Sequence, residues 1–278
     1  YEASQKILEE HPVPILLVTA SWELSEVKSI VNSMKLGVLG IYQKPSNPFD
    51  PSSDQQLKEV LEAIRTMCDV KVIRRYNSSP FKTLRKVVVP HNSYKRILIG
   101  ASTGGPPVLH DIFKALPSNF SIPIVVAQHM SLEFIDNFIT WLNLNSNLRV
   151  KKAENGEKLT AGNVYIAPRG YHIYLKGEYI YLEKSEKETL IVPSITKLFA
   201  SVSNNEAKDT IAMLLSGMGE DGAKEMVRLY EHGALTIVQN EQSSVVYGMA
   251  KKAYEYGAVK TSLSPDEISQ TLKDLVKE

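Results

Sequence analysis

The chain has 278 residues and a single cysteine, Cys68. One thiol excludes an intramolecular disulfide and a zinc site built from cysteines, and it fits a reducing compartment. No apolar run approaches the roughly 20 residues of a membrane span, and no signal-peptide pattern opens the chain. The formal charge is only +1. Neither nucleic acid nor an anionic membrane is therefore indicated as the main partner. These absences together predict a cytoplasmic protein. Two phosphate-binding signatures also fail. G-x-x-x-x-G-K-[ST] needs a lysine after Gly105, where Pro106 stands, and G-x-G-x-x-G needs glycine at Ser102. Tyr1 in place of an initiator methionine marks the chain as processed or a fragment.

What is present is ordinary globular sequence. Hydrophobic residues make up 43% and charged residues 23%, as in soluble domains, and the length is a prior for two domains. Residues 1–10 read as a helix end. Ile15–Ala20 is a continuous apolar run of the kind found in buried parallel strands. Trp22–Leu36 has helical period and stops at Gly37. Val38–Tyr42 is a second strand, and Asp54–Tyr76 a further helix. The polar stretch 77–94, broken by Pro80 and Pro90, reads as an interdomain linker. This divides the chain into residues 1–76, a linker at 77–94, and residues 95–278.

Strand and helix alternate beyond the linker. Strands are predicted at Arg96–Ala101, Ile122–Ala127, Arg149–Ala153, Thr210–Ser216 and Leu235–Gln239. Helices are predicted at Pro106–Ala115, Leu132–Leu142, Ser194–Ser203, Ala223–His232, Val246–Tyr256 and Pro265–Lys277. Asn163–Ala167, His172–Leu175 and Tyr179–Leu182 read as a small antiparallel meander. The fold class is therefore α/β: a doubly wound, mostly parallel sheet with a small antiparallel meander, preceded by a smaller α/β unit.

The chemistry centres on Gly100-Ala101-Ser102-Thr103-Gly104. An apolar strand ends in a serine among small residues, and prolines open a helix. The spacing matches G-x-S-x-G, a sharp strand-to-helix turn that exposes a nucleophilic hydroxyl. Most such turns are only turns, so the serine needs a base and the base an orienting carboxylate. Open parallel sheets bind ligands beyond the carboxyl ends of their strands. His129 lies just past Ile122–Ala127, and Asp221 lies in a glycine-rich loop past Thr210–Ser216. A strand-end histidine is commonly structural and a loop aspartate commonly a helix cap. The coincidence of Ser102, His129 and Asp221 at three strand ends favours a triad. His110, His11, His91 and His232 lie on a helix face, in breakers or at a helix end; His172, in the meander, could reach the cleft.

Several motifs, in order, resemble the chemotaxis protein-glutamate methylesterases. They are Ile99–Gly105, Gln128-His129-Met130, Ala167-Pro168, Ser216–Ala223, Val238–Glu241 and Val246–Met249. The resemblance implies hydrolysis of glutamate γ-methyl esters on chemoreceptor helices, together with glutamine deamidation. It implies Ser102 as nucleophile, His129 as base, Asp221 as orienting acid, and the backbone N–H groups of Thr103 and Met218 as oxyanion donors. No cofactor and no metal are implied. A receptor-binding module without catalysis, or a hydrolase of another small ester, are the alternatives. Residues 1–76 resemble the second half of a response-regulator receiver domain, with Thr19 and Lys44 at its switch positions. That resemblance implies a histidine kinase as phosphodonor for a full receiver. Ser131, Thr196 and Ala250 depart from the family's pattern, and none is expected to touch the triad.

Overall fold

The structure is a computed structural model that describes residues 1–20, 23–45, 53–68, 70, 94–186 and 192–276. The predicted linker, apart from Tyr94, and the end of the helix predicted to run to Tyr76 lie outside the described residues.

The N-terminal unit runs α1 (Glu2–Glu10), β1 (Leu16–Thr19), α2 (Leu24–Leu36), β2 (Gly40–Gln43) and α3 (Asp54–Met67). β1 and β2 pair in parallel, with Thr19 opposite Gln43. Gly37 ends α2 in the left-handed region at φ 119°, where glycine carries no Cβ penalty. Val27, Val31 and Met34 on α2 share one apolar cluster with the larger unit. Lys35 Nζ sits 2.6 Å from Asp111 Oδ1 across the same contact.

Seven parallel strands form the central sheet: β3 (Arg96–Ala101), β4 (Ile124–Gln128), β5 (Arg149–Lys152), β6 (Asn163–Ile166), β9 (Thr210–Leu214), β10 (Leu235–Gln239) and β11 (Thr261–Leu263). Their order is β11-β10-β9-β3-β4-β6-β5. Every residue of β3, β4, β9 and β10 is buried, as a sheet covered on both faces demands. Side chains alternate between the two faces. Ile97, Ile99, Val126 and Met213 pack against α4 (Gly105–Ala115), α5 (Ile135–Leu144) and α10 (Pro265–Asp274). Leu98, Val125, Ala212 and Leu214 pack against α6 (Ile195–Ala200), α8 (Ala223–Glu231) and α9 (Met249–Glu255), with the short α7 (Asn204–Ala207) joining α6 to β9. Each fully buried Leu or Ile contributes about 1.5–3 kcal/mol, so the sheet is the rigid base of the molecule.

Two differences from the sequence reading stand out. The predicted three-stranded meander is a two-stranded hairpin of β7 (Tyr171–Lys176) and β8 (Tyr179–Lys184). Asn163–Ile166 instead joins the central sheet, in parallel with both β4 and β5. Its inward residues find apolar partners there, which local pattern could not reveal. The helix predicted from Val246 begins only at Met249, because the chain first passes through an isolated bridge between Tyr247 and Gly217.

The sheet grows outward from β3 in both directions, β4 on one side and β9 on the other. The crevice beyond the carboxyl ends of these three strands is the switch point where α/β sheets take ligands.

Candidate active site

Ser102 follows β3 directly and His129 follows β4. The last residues of the two strands, Ala101 and Gln128, are partners in register. The His129 N–H donates to the Ala101 carbonyl at 2.9 Å. Nucleophile and base candidates therefore occupy neighbouring positions on adjacent strands, about 4.8 Å apart in the sheet direction. The Ser102 N–H donates to the Ser216 carbonyl across to the β9 side at 3.0 Å. Its hydroxyl makes no hydrogen bond to a described residue, His129 included.

The turn after Ser102 depends on Gly104, which caps α4 at φ 78°. A Cβ there would also lie 2.6 Å from Val245 Cβ and 2.7 Å from Ser216 Oγ. Only glycine meets both the backbone angle and the space.

Asp221 occupies the loop between β9 and α8. Its Oδ2 lies 3.1 Å from His129 Nε2 and accepts the Ile195 N–H at 2.7 Å. Its Oδ1 accepts the Thr196 N–H at 2.9 Å, and Ser194 Oγ lies 3.4 Å from it. The carboxylate thus caps the start of α6 while facing the imidazole. Burial works to raise its pKa. The hydrogen bonds from His129, Thr196 and Ile195 outweigh burial and hold the carboxyl well below the ordinary range. Asp221 is consequently ionised at neutral pH.

Thr196 corrects one expectation. Far from standing clear of the triad, it binds Asp221 through its N–H, and its Oγ1 accepts the Gly222 N–H at 2.9 Å. The starts of α6 and α8 are tied together through this exchange. Ser131 Oγ is buried without a partner among the described residues, and Ala250 is fully buried.

Two backbone N–H groups point to a third feature. Neither the Thr103 N–H nor the Met218 N–H has a hydrogen-bond partner among the described residues. The loops that carry them are nevertheless held firmly. Ser216 Oγ donates to the Thr103 carbonyl at 2.7 Å and accepts the Val246 N–H at 3.0 Å. The Gly217 carbonyl accepts the N–H groups of Gly248 and Met249, both at 3.0 Å. A Cβ on Gly217 would lie 2.6 Å from Ser102 Cβ, so the Met218 loop runs against the serine. Free donors on fixed loops beside a hydroxyl can receive an oxyanion without reorganising.

His110, His172 and His232 have structural partners. His110 pairs with Asp111 and lies against the Trp141 ring at 4.8 Å. His232 Nδ1 meets the Arg228 carbonyl at 2.8 Å. His11 ends α1, and His91 lies outside the described residues. His172 is buried on β7, where its Nδ1 accepts the Ser194 N–H at 2.9 Å. It supports the segment that binds Asp221. Among the described residues, no three His, Cys, Asp or Glu side chains converge as a metal site. Thr19 ends β1 and Lys44 directly follows β2, and the Lys44 N–H donates to the Thr19 carbonyl at 2.7 Å.

Residues 97–272 match the CheB methylesterase family. The chain belongs to the CheB methylesterase family. A Geobacter metallireducens protein named protein-glutamate methylesterase/protein-glutamine glutaminase 4 is 38% identical over 99% of this chain and 81% of its own. A Syntrophus aciditrophicus protein named protein-glutamate methylesterase/protein-glutamine glutaminase 1 is 37% identical over the same shares. The crystal structure of the Thermotoga maritima CheB methylesterase catalytic domain superposes with a TM-score of 0.62 at 37% identity, covering 66% of this chain and all of that one. The central sheet and its helices are therefore the CheB catalytic fold. The sequence shows Ser216 and Gln239 inside motifs and a helix from Ser194, but gives no role to Ser216, to Gln239, whose Oε1 accepts the Ser216 N–H at 2.8 Å, or to the start of α6. A polar residue closing a fully apolar strand, as Ser216 nearly closes β9, was the available signal.

Proposed function

We propose that this chain hydrolyses glutamate γ-methyl esters on chemoreceptor cytoplasmic helices, releasing methanol, and deamidates receptor glutamines at the same site. The observation that carries the proposal is the meeting, beyond the carboxyl ends of β3, β4 and β9, of a serine hydroxyl and two backbone N–H groups with no partner among the described residues and an Asp-bound imidazole.

In this reading Ser102 Oγ attacks the γ-carbonyl carbon while His129 takes the hydroxyl proton. Because Nε2 faces Asp221, the accepting lone pair is on Nδ1. The oxyanion is stabilised by the N–H groups of Thr103 and Met218, each worth about 3 kcal/mol. The bond from carbon to methoxide breaks, His129 returns its proton, and methanol leaves. A water then gives its proton to His129 and attacks the acyl ester, and Ser102 leaves reprotonated. With glutamine, ammonia leaves instead. Proton transfer by the imidazole contributes roughly 10²–10⁴-fold. Asp221 fixes the tautomer and offsets the positive charge that develops on the ring.

The N-terminal unit is proposed to be the second half of a receiver domain, with Thr19 and Lys44 at its switch and a chemotaxis histidine kinase as phosphodonor. Support comes from their adjacent strand-end positions and from relatives that align over nearly the whole chain. A cytoplasmic location is proposed with it, because the receptor signalling helices that would be its substrate lie there.

Ser102→Ala tests the reading. Methanol release from methylated receptor should vanish while the fold persists; retained turnover overturns the assignment.

A further inference from the structure

We propose that Gln128 is a positioning residue that fixes the spacing between nucleophile and base. The inference rests on the catalytic reading above. Gln128 ends β4 and is 1% exposed. Its Nε2 donates to the Ser102 carbonyl at 3.0 Å and to the His129 carbonyl at 2.7 Å. One amide group therefore bridges the main chains of the two residues that must exchange a proton. Both acceptors are carbonyl oxygens, so the amide orientation is fixed: a flipped amide would set oxygen against oxygen.

The other end of the amide makes the case stronger. Gln128 Oε1 is buried and has no hydrogen-bond partner among the described residues. A buried orphan acceptor is unfavourable, and native proteins keep few of them. An apolar side chain of the same length would remove the orphan and would still fill the space. Retaining glutamine makes sense if its two donors hold something that packing alone does not. The neighbourhood is shaped around the same atom. A Cβ on Gly105 would lie 2.6 Å from Gln128 Oε1 and 2.8 Å from Ala101 Cβ. Gly105 thus admits the amide oxygen at the start of α4, where the positive end of the helix dipole receives it.

The two carbonyls that Gln128 holds belong to different strand ends, and backbone pairing stops nearby. The last ladder-type bond between them is the one from the His129 N–H to the Ala101 carbonyl. Beyond it the strands diverge into α4 and into the segment that leads to α5. Gln128 extends the connection past that bond, to the carbonyls of Ser102 and His129. Proton transfer depends steeply on such placement, whereas ground-state binding of a receptor helix does not.

The test is Gln128→Met in the full chain, with methylated receptor as substrate. Gln128→Met should keep its melting temperature, with KM within twofold of wild type and kcat at least tenfold lower. Labelling of Ser102 by a serine-directed phosphonate should slow by a similar factor. A folded Gln128→Met with unchanged kcat and labelling rate overturns the proposal, and so does a loss of kcat that only follows a loss of folded protein. Gly105→Ala is the second variant, since its methyl group displaces the amide oxygen without changing Gln128. If Gln128→Met does not fold, slowed labelling of folded Gly105→Ala supports the proposal and an unchanged rate overturns it. Should Ser102→Ala remain active, the catalytic reading fails. Should Ser102→Ala be inactive and Gln128→Met fully active, only the present inference fails.

Discussion

Asp221 Oδ2 lies 3.1 Å from Nε2 of His129, the ring nitrogen farther from that residue's own backbone. The carboxylate is already anchored by the N–H groups of Ile195 and Thr196, so it has one fixed direction in which to accept the imidazole N–H. Being ionised, it selects the tautomer with hydrogen on Nε2 and the lone pair on Nδ1. Nitrogen-15 NMR of the neutral imidazole should report that tautomer for His129. Asp221→Asn should lower kcat by about 10⁴-fold, as expected where the orienting carboxylate is lost and the wrong tautomer becomes available. A predominant Nδ1–H form in the wild-type protein would refute the assignment of roles to the two nitrogens.

Gly100 sets how closely α6 approaches β3. A Cβ on this residue would run into Ile195 Cγ2 and would lie 2.8 Å from Leu214 Cδ2. Both neighbours are fully buried and cannot move into solvent. Overpacking of this kind costs about 1–3 kcal/mol, and Gly100→Ala should show it as a lower denaturation midpoint. Ile195 also supplies an N–H to Asp221. Activity per folded molecule should therefore fall as well, measured as methanol release corrected for the folded fraction. A variant as stable and as active as wild type would mean that α6 can shift freely.

The pattern of residues made most of this architecture legible. Runs such as Ile97-Leu98-Ile99 and Ile211–Leu215 are apolar at every position, because sheet residues covered on both faces leave no polar side. Ser102, His129 and Asp221 were findable because each follows such a run. Pairing was harder to read. Asn163–Ile166 is short, and nothing in its four residues distinguishes a hairpin strand from an inner strand between β4 and β5. The partners of Asp221 were not readable at all. Ile195 and Thr196 lie about 25 residues before it, and the contact exists only because α6 folds back over the sheet. Backbone donors leave no trace in residue type, so the anchoring of the acid emerges only from the fold.

His172 gives this anchoring a pH dependence. It is 3% exposed, and its Nδ1 accepts the Ser194 N–H at 2.9 Å. Protonating Nδ1 would set N–H against N–H. Burial lowers its pKa, and the positive charge of Lys197 lowers it further, against the smaller opposing pull of Glu183 and Asp221. In the unfolded chain the imidazole titrates near 6.5, roughly the ordinary value. Below that pH the unfolded chain takes up a proton that the folded protein resists. Stability is therefore complete above the unfolded value and declines as pH falls toward the lower folded value. The slope is at most about 1.4 kcal/mol per pH unit for one proton. His172→Asn removes the titrating group, so its stability should fall less steeply between pH 6.5 and 5 than that of wild type, as read from denaturant midpoints. The difference between the two slopes isolates His172 from the other histidines. Parallel slopes would mean that the Ser194 segment tolerates a charged ring, and that Asp221 is held without it.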